Sequence, residues 1–432
     1  MQRRMPRRQL RWLLCLLLLA STVINYLDRQ TLSLLAPLLK ATYHWTNSDY
    51  ADLIIGFRIA YGAGQFVVGR WIDRVGTRRA ITWSVGIYSM VAMLTPLAQG
   101  LRSFTAFRAM LGFGESANWP AATKAVSEWF PARERALATA LFDSGSSIGG
   151  AIAPFLVLWI SLHFGWRLTF VVPGVMGFAW LLVWRKCYYP PDEHPSISAE
   201  ERTMLQRDRS RDGLKERTRT PMRSILGFQK TWGVIAARTF TDPVWYFVTD
   251  WFPIYLVAKG IALRSGLVAI WVPFLAADAG NFAGGAVSGW LIGKGWSIGW
   301  ARKAVVIAGA LGTTFLIPTI FTRNLLILTI LFAVATFSYA CFSTIANVLP
   351  SDLYQPDAVA TVSGVSGASS AFVTVLAMKA VGYVTDARHA AGTGAFDPIM
   401  VVSGCLPCIG MLLVLLLVRN TRQSSEGRLL RI

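Results

Sequence analysis

Gly69-Arg70-Trp71-Ile72-Asp73-Arg74-Val75-Gly76-Thr77-Arg78-Arg79 joins two long apolar runs and decides how the rest of the chain is read. Gly69 allows two helices to approach closely. Gly76 permits a tight turn. Asp73 is placed to face a helix N-terminus or a neighbouring arginine, and so to latch one side of the molecule. Arg74, Arg78 and Arg79 keep the loop in water on one side of a bilayer. The corresponding loop further on, Gly289 to Lys303, keeps Lys294, Arg302 and Lys303 but has no acid to match Asp73.

Working outward, the 432 residues are 54% hydrophobic and only 15% charged, with a mean hydropathy of +0.46. Soluble domains carry about 25% charged residues, so the composition points to a membrane-embedded chain. A helix needs ~20 apolar residues to cross the hydrocarbon. Such stretches fall near Trp12–Ala36, Asp49–Gly69, Ala80–Gln99, Ser103–Ser127, Arg135–Leu162 and Trp166–Cys187. A second set falls near Thr231–Val257, Ser265–Leu291, Lys303–Phe321, Leu325–Leu349, Ala358–Thr385 and Phe396–Val418. The expectation is an all-α polytopic membrane protein of about twelve transmembrane helices in two six-helix halves, residues 1–187 and 229–432. Residues 188–228 form a polar cytoplasmic linker, where Ser198 followed by Glu201 reads as the start of a short surface helix.

The formal charge of +19 is distributed by loop. Arg3, Arg4, Arg7, Arg8 and Arg11 precede the first run, Arg70 to Arg79 cluster in the quoted loop, and Arg419, Arg422, Arg428 and Arg431 follow the last run. The alternate loops are poorer in Lys and Arg. This is the positive-inside pattern, and it puts both termini in the cytoplasm. No basic stripe with interleaved aromatics lies on a soluble segment, so a nucleic-acid partner is not expected. The first run continues into Asn25, Tyr26, Asp28 and Arg29 without a small-residue cleavage pattern, and reads as a retained span. Cys405 and Cys408 sit inside an apolar segment and read as small buried residues rather than a redox pair. Neither zinc-ligand spacing nor any other metal site is visible.

Ionisable residues within apolar spans are costly and mark function. Here they are Asp28, Arg29, Arg58, Arg108, Glu115, Lys124, Asp143, Arg238, Asp242, Asp250, Asp278 and Lys379. Lys124, Asp250 and Lys379 lie near span ends, where long side chains can snorkel. Arg108 and Glu115 are separated by two helical turns, ~10.5 Å, on nearly one face. A cation and an acid on one cavity-facing stripe suit an anion site beside a proton site, and equally a fixed ion pair between helices. Asp28 and Arg29, being adjacent, diverge by about 100° and should serve different partners.

The quoted loop fits the signature of the major facilitator superfamily, G-x-x-x-D-R-x-G-x-R-R, at every defined position. Further pieces resemble the anion:cation symporter family within it: Asn25-Tyr26-Leu27-Asp28-Arg29, Arg108-x-x-x-Gly112-x-Gly114-Glu115, Asn118-Trp119-Pro120, and Glu128-Trp129-Phe130-Pro131-x-x-Glu134-Arg135. The chain is most similar to the hexuronate-transporter branch in Phe142-Asp143-Ser144-Gly145-Ser146-Ser147-Ile148-Gly149, in Ile152-Ala153-Pro154, in Arg238-x-x-x-Asp242-Pro243-x-Trp245, in Pro273-x-x-x-x-Asp278-x-Gly280 and in Ser351-Asp352-Leu353-Tyr354. It departs from the pattern at Asp143, where relatives mostly have Asn, at Lys379, and at Ala368-Ser369-Ser370.

The resemblance implies proton-coupled import of a small organic anion, foremost a hexuronate such as glucuronate or galacturonate, across a bacterial inner membrane. It implies Asp28 and Glu115 as protonation sites, and Arg29, Arg108 and Arg238 as carboxylate-binding or gating residues. Tyr61 and Asn347 fall where relatives place polar groups toward the substrate. A guanidinium pairs bidentately with a carboxylate. We therefore expect Arg108 or Arg238 to hold it, with Tyr61, Trp245, Tyr246 and Asn347 lining the pocket and Gly69, Asp73, Arg74, Gly76, Arg78 and Arg79 forming the cytoplasmic gate. The chain is expected to act as a monomer with no cofactor, the proton serving as coupling ion. Other cargoes in the same class are galactonate, glucarate or an aromatic carboxylate. A different class is a membrane sensor that binds the anion without moving it. No H-E-x-x-H or P-loop pattern occurs, and an enzyme is not expected.

Overall fold

The computed structural model describes residues 9–45, 47–195, 197, 201–203, 205, 221–260, 263–388 and 394–418. Among these residues there are helices and no strands. The first group is α1 Gln9–Tyr43, α2 Asn47–Val75, α3 Thr77–Leu94, α4 Leu101–Glu115, α5 Asn118–Trp129, α6 Ala132–Asp143, α7 Gly145–Phe164 and α8 Trp166–Cys187. After the short α9 Met222–Gly227 come α10 Gln229–Thr239, α11 Asp242–Ala258, α12 Leu263–Gly293, α13 Ile298–Thr313, α14 Leu325–Leu353, α15 Val359–Ala387 and α16 Asp397–Leu417. Tight 3-10 turns, Thr95–Leu97 and Thr314–Phe321, extend α3 and α13. Ser198 lies outside the described residues, as does the side chain of Asp250.

Local chemistry explains the ends. Gly76 takes φ 84°, the left-handed region that a side chain disfavours, and turns the chain from α2 into α3. Ser297 caps α13 by accepting from the Trp300 N–H at 3.3 Å. Asn324 caps α14 by accepting from the N–H groups of Leu326 and Ile327 at 2.9 and 3.2 Å.

Three expected spans prove to be broken. The stretch Ser103–Ser127 is interrupted at Ser116–Ala117, between α4 and α5. Pro120 has no N–H for the carbonyl of Ser116, four residues back, so the ladder stops there. The same reasoning covers Thr231–Val257: Pro243 leaves the carbonyl of Thr239 without its partner, and α10 ends at Thr239. The stretch Arg135–Leu162 breaks at Ser144, before Gly145. Each break falls beside a charged residue: Glu115, Asp143, and Arg238 with Asp242. Discontinuous helices expose backbone and polar groups only where they line a cavity.

Eight helical segments among the described residues are long and apolar enough to cross a bilayer. The remaining expected spans are α2, α4 with α5, α10 with α11, and α12. These carry eight of the twelve ionisable residues named above and two of the breaks. Apolar side chains such as Phe155, Leu162, Leu182, Leu326 and Phe372 stand exposed on outer helix faces, as hydrocarbon contact requires. Cys405, expected to be buried, is exposed on α16, and Cys408 is half-buried; both are free thiols. The apolar run around them was long enough to face either way.

The apolar core is divided. Two clusters are built almost wholly from α1 to α8 and two almost wholly from α10 to α16. Between the groups, α2 lies along α15, and α6 packs against α12 and α14. The α2–α15 approach depends on glycine. A Cβ on Gly69 would collide with the Ala360 carbonyl, and one on Gly364 with the Gln65 carbonyl.

Candidate functional site

A polar cavity opens between the two helix groups, and each group contributes a guanidinium to it. From the first group come Tyr26 and Arg29 of α1, Tyr61 and Gln65 of α2, Trp119 of α5, and Asp143 at the end of α6. From the second come Arg238 of α10, Asp242, Trp245 and Tyr246 of α11, Asn281 of α12, and Tyr339, Ser343 and Asn347 of α14. Gly367 and Ser370 of α15 complete the wall. Of the substrate residues expected from sequence, Arg29, Tyr61, Arg238, Trp245, Tyr246 and Asn347 all face this cavity.

Arg108 does not line it. Its guanidinium carbon lies 4.7 Å from the centre of the Phe57 ring, and the side chain is buried behind the cavity wall. The face that Arg108 shares with Glu115 points into the first helix group rather than into the passage. Glu115 pairs instead with Arg29, whose Nε donates to Oε2 at 2.6 Å. Oε1 of Glu115 and both carboxyl oxygens of Asp28 have no hydrogen-bond partner among the described residues. Asp28, Glu115, Arg29 and Arg108 thus form one charged cluster, within which Asp28 feels the other three. Arg29 alone reaches from the cluster to the cavity, with Tyr61 under its guanidinium at 4.6 Å. Adjacent Asp28 and Arg29 therefore point to different surroundings.

Across the cavity, Nη2 of Arg238 donates to Asp242 Oδ2 at 3.3 Å, while Nε and Nη1 have no hydrogen-bond partner among the described residues. Ser370 donates to the same Asp242 oxygen at 2.5 Å. The replaced Ala368-Ser369-Ser370 stretch thus anchors the cation's counter-ion, and Ser369 bonds Thr239 at 2.9 Å. Trp245 stacks on Tyr339 at 5.7 Å with nearly parallel rings, giving one wall a flat apolar face. Arg58 sits over the Tyr246 ring at 5.0 Å. Lys379 is exposed on α15, away from the cavity.

Below the cavity the two helix groups are tied together. Asp73 accepts from the backbone N–H groups of Ala360 and Thr361, at 3.3 and 2.7 Å, and from the Thr361 hydroxyl. It thereby caps the N-terminus of α15 from another helix. Lys124, expected to be a snorkelling residue, donates to Asp73 at 2.9 Å. Arg78 donates to the Arg185 carbonyl at 2.5 Å and lies 3.8 Å from the Tyr189 ring centre, which ties the loop to the end of α8. Arg74 and Arg79 are exposed.

A second tie was not foreseen as such. Arg135 donates to the Ser351 carbonyl at 2.8 Å and to Asp352 at 3.2 Å. Arg302 donates to Asp352 at 2.8 Å, to Ser288 at 2.7 Å and to the Ala132 carbonyl at 2.8 Å. The loop between α12 and α13 lacks an acid of its own, and the end of α14 supplies one. Arg135 and Asp352, within quoted motifs, and Arg302, kept in the loop before α13, were the available signals.

The model of the Major Facilitator Superfamily matches residues 18–378 of this sequence. The chain belongs to the Major Facilitator Superfamily. Like other members it is a transporter-family membrane protein and not an enzyme. A hexuronate transporter of Escherichia coli is 29% identical over 420 residues, which cover 95% of this chain and 94% of that protein. A D-galactonate transporter from another Escherichia coli strain is 31% identical over 431 residues, 96% of each. Among solved structures, the proton:xylose symporter XylE bound to 6-bromo-6-deoxy-D-glucose superposes with a TM-score of 0.78, covering 96% of this chain and 98% of that one. At 14% identity that likeness shows the fold. The resemblance to the hexuronate-transporter branch agrees with what these relatives are called.

Proposed function

We propose that this major facilitator imports a small sugar acid, foremost a hexuronate, together with protons. It acts as a monomer of twelve spans in the bacterial inner membrane, both termini cytoplasmic. Residues 1–187 and 229–432 rock about the cavity, and residues 188–228 link them. The relatives' names support a sugar-acid cargo over a sensor role, and the paired arginines support an anion.

The observation that carries the coupling is Arg29, which lines the cavity while its Nε is held by buried Glu115 at 2.6 Å. An arriving carboxylate competes with Glu115 for this cation. Once Glu115 takes up a proton, Arg29 is released to the substrate; once the substrate leaves, Arg29 returns to Glu115 and the proton is expelled. Asp28 loads in the same cluster. Arg238 meets the anion from the other half, so a bound carboxylate draws the halves together. Tyr61, Tyr246 and Asn347 offer hydrogen bonds to hydroxyls, and Trp245 covers the ring. The bonds of Asp73, Arg135 and Arg302 hold the cytoplasmic side closed while the anion enters.

The test is uptake of labelled glucuronate into proteoliposomes under an inward proton gradient, with galacturonate, galactonate, glucarate and an aromatic carboxylate as competitors. Wild type should accumulate label and collapse on dissipating the gradient. Glu115→Gln should still exchange internal for external substrate but lose accumulation. Normal accumulation by Glu115→Gln would remove the coupling assignment, and no uptake of any sugar acid by wild type would remove the cargo.

A further inference from the structure

Within the cavity, cations and acids do not balance locally. Arg29 is held by Glu115 and Arg238 by Asp242. Asp143 is left as a lining carboxyl with no ion-pair partner and no hydrogen-bond partner for its carboxyl oxygens among the described residues; only its backbone carbonyl accepts, from the Ser146 hydroxyl at 2.7 Å. It is 9% exposed, at the last residue of α6, and lines the passage.

The groups that face it are known on every side. Tyr26 comes from α1, Asp278 from α12, and Tyr339 from α14. Arg238 of α10 and Asp242 of α11 lie across the cavity within its electrostatic reach. From α5 it meets no charge; Trp119 packs on neighbouring Phe142. On α7, Ser147 donates to Asp278 at 2.6 Å, which holds that second carboxylate close by. An ionised Asp143 therefore confronts two other carboxylates and shares Arg238 with one of them. A substrate anion placed against Arg238 would add a further negative charge to the same space. In a dry site such crowding is relieved by neutralising the group that has no partner.

The geometry points to Asp143 as an additional proton-carrying carboxyl of this transporter, neutral while the anion lies against Arg238 and deprotonated when the anion leaves. The proton comes from water on the entry side, is held on an Asp143 carboxyl oxygen, and returns to water on the exit side. This rests on the sugar-acid reading above for its transport consequence. Asp143 is distinct from the Asp28 and Glu115 cluster, which lies behind Arg29.

The proton site can be read without any cargo. Infrared difference spectra of the purified protein in lipid, between mildly alkaline and mildly acid buffer, report protonated carboxyl groups. Wild type should show a carboxyl C=O band that Asp143→Asn loses and Asp143→Glu retains at a displaced frequency. Should Asp143→Asn fail to fold, the displaced band in Asp143→Glu carries the test alone. Spectra of the variants that superimpose on wild type overturn the proposal. In vesicles, Asp143→Asn should move one proton fewer per glucuronate, read from the membrane potential that nulls net flux; an unchanged null potential also overturns it. If wild type moves no sugar acid but the band still follows Asp143, the proton site stands and the cargo assignment falls.

Discussion

Replacing Asp73 by Asn should part the two helix groups at the end where Asp73 ties them. The Asp73 and Lys124 side chains are 2% and 6% exposed and meet at 2.9 Å. Removing one partner of a buried pair weakens it by ~3–5 kcal/mol, because the other charge is left stranded. When the halves part, Lys124 regains water, so this loss falls on the closed state alone. Taking ~3 kcal/mol, the closed-to-open ratio falls by about two decades, since each ~1.4 kcal/mol is tenfold. A transporter whose open form is about 1% populated would become roughly evenly divided. Spin labels at exposed Lys186, at the end of the first half, and at exposed Ser224, on the short α9 that packs against the first helix of the second half, would report this as a second, longer distance. The free cysteines Cys187, Cys405 and Cys408 are first replaced. Adding Lys124→Met to Asp73→Asn should restore part of the closed population, because no cation is then stranded. A distance distribution in Asp73→Asn that matches wild type would refute the idea that this cluster holds the halves together.

Gly69→Ala should shift the same labels apart, because its Cβ meets the Ala360 carbonyl; overpacking of this kind costs ~1–3 kcal/mol. Arg238→Lys should raise the half-saturating sugar-acid concentration about tenfold or more with the maximal rate less affected, since an ammonium cannot hold Asp242 and a substrate carboxylate as a planar fork does; an unchanged value would place the carboxylate elsewhere. His194, in the linker beyond α8, has its imidazole pushed below the usual histidine range by burial against Trp129 and Tyr189, partly offset by its bond to the Cys187 carbonyl. The neutral ring is the one that fits. Its contribution is therefore present above about pH 6.5 and lost as pH falls through the lower folded value. Histidine C2–H exchange followed by mass spectrometry should find His194 titrating below the usual histidine range.

Most of the architecture could be read in advance because hydrocarbon leaves the backbone few choices. Long apolar runs had to be helices, and Gly76 had to be a turn. The helix breaks were also written in the chain. Pro120 and Pro243 each remove the donor for a carbonyl four residues back, but a count of apolar residues does not register a missing N–H. The pairing of charges was less accessible. Periodicity relates residues on one helix, so it joined Arg108 to Glu115; only packing shows that Arg29, on another helix, sits closer. Asp352 illustrates the same limit, because the acid missing from the loop before α13 arrives from the far end of α14.

The cavity and the latch are not separate devices. Tyr61, Gln65, Gly69 and Asp73 recur every four residues along α2, a stripe about 18 Å long at ~1.5 Å per residue. Tyr61 and Gln65 face the cavity, Gly69 approaches Ala360, and Asp73 caps α15. On α15 the order is matched: Thr361 at the latch, Gly364 against Gln65, and Gly367 and Ser370 at the cavity. Two stiff helices in contact along this whole line cannot part at Asp73 without a rotation that also moves Tyr61 away from Ser370. In the proposed mechanism, substrate binding that draws Arg29 and Arg238 together therefore bears on the latch through the same pair of helices. A single interface with two packed arrangements is enough to couple them, and no relay of side chains is needed.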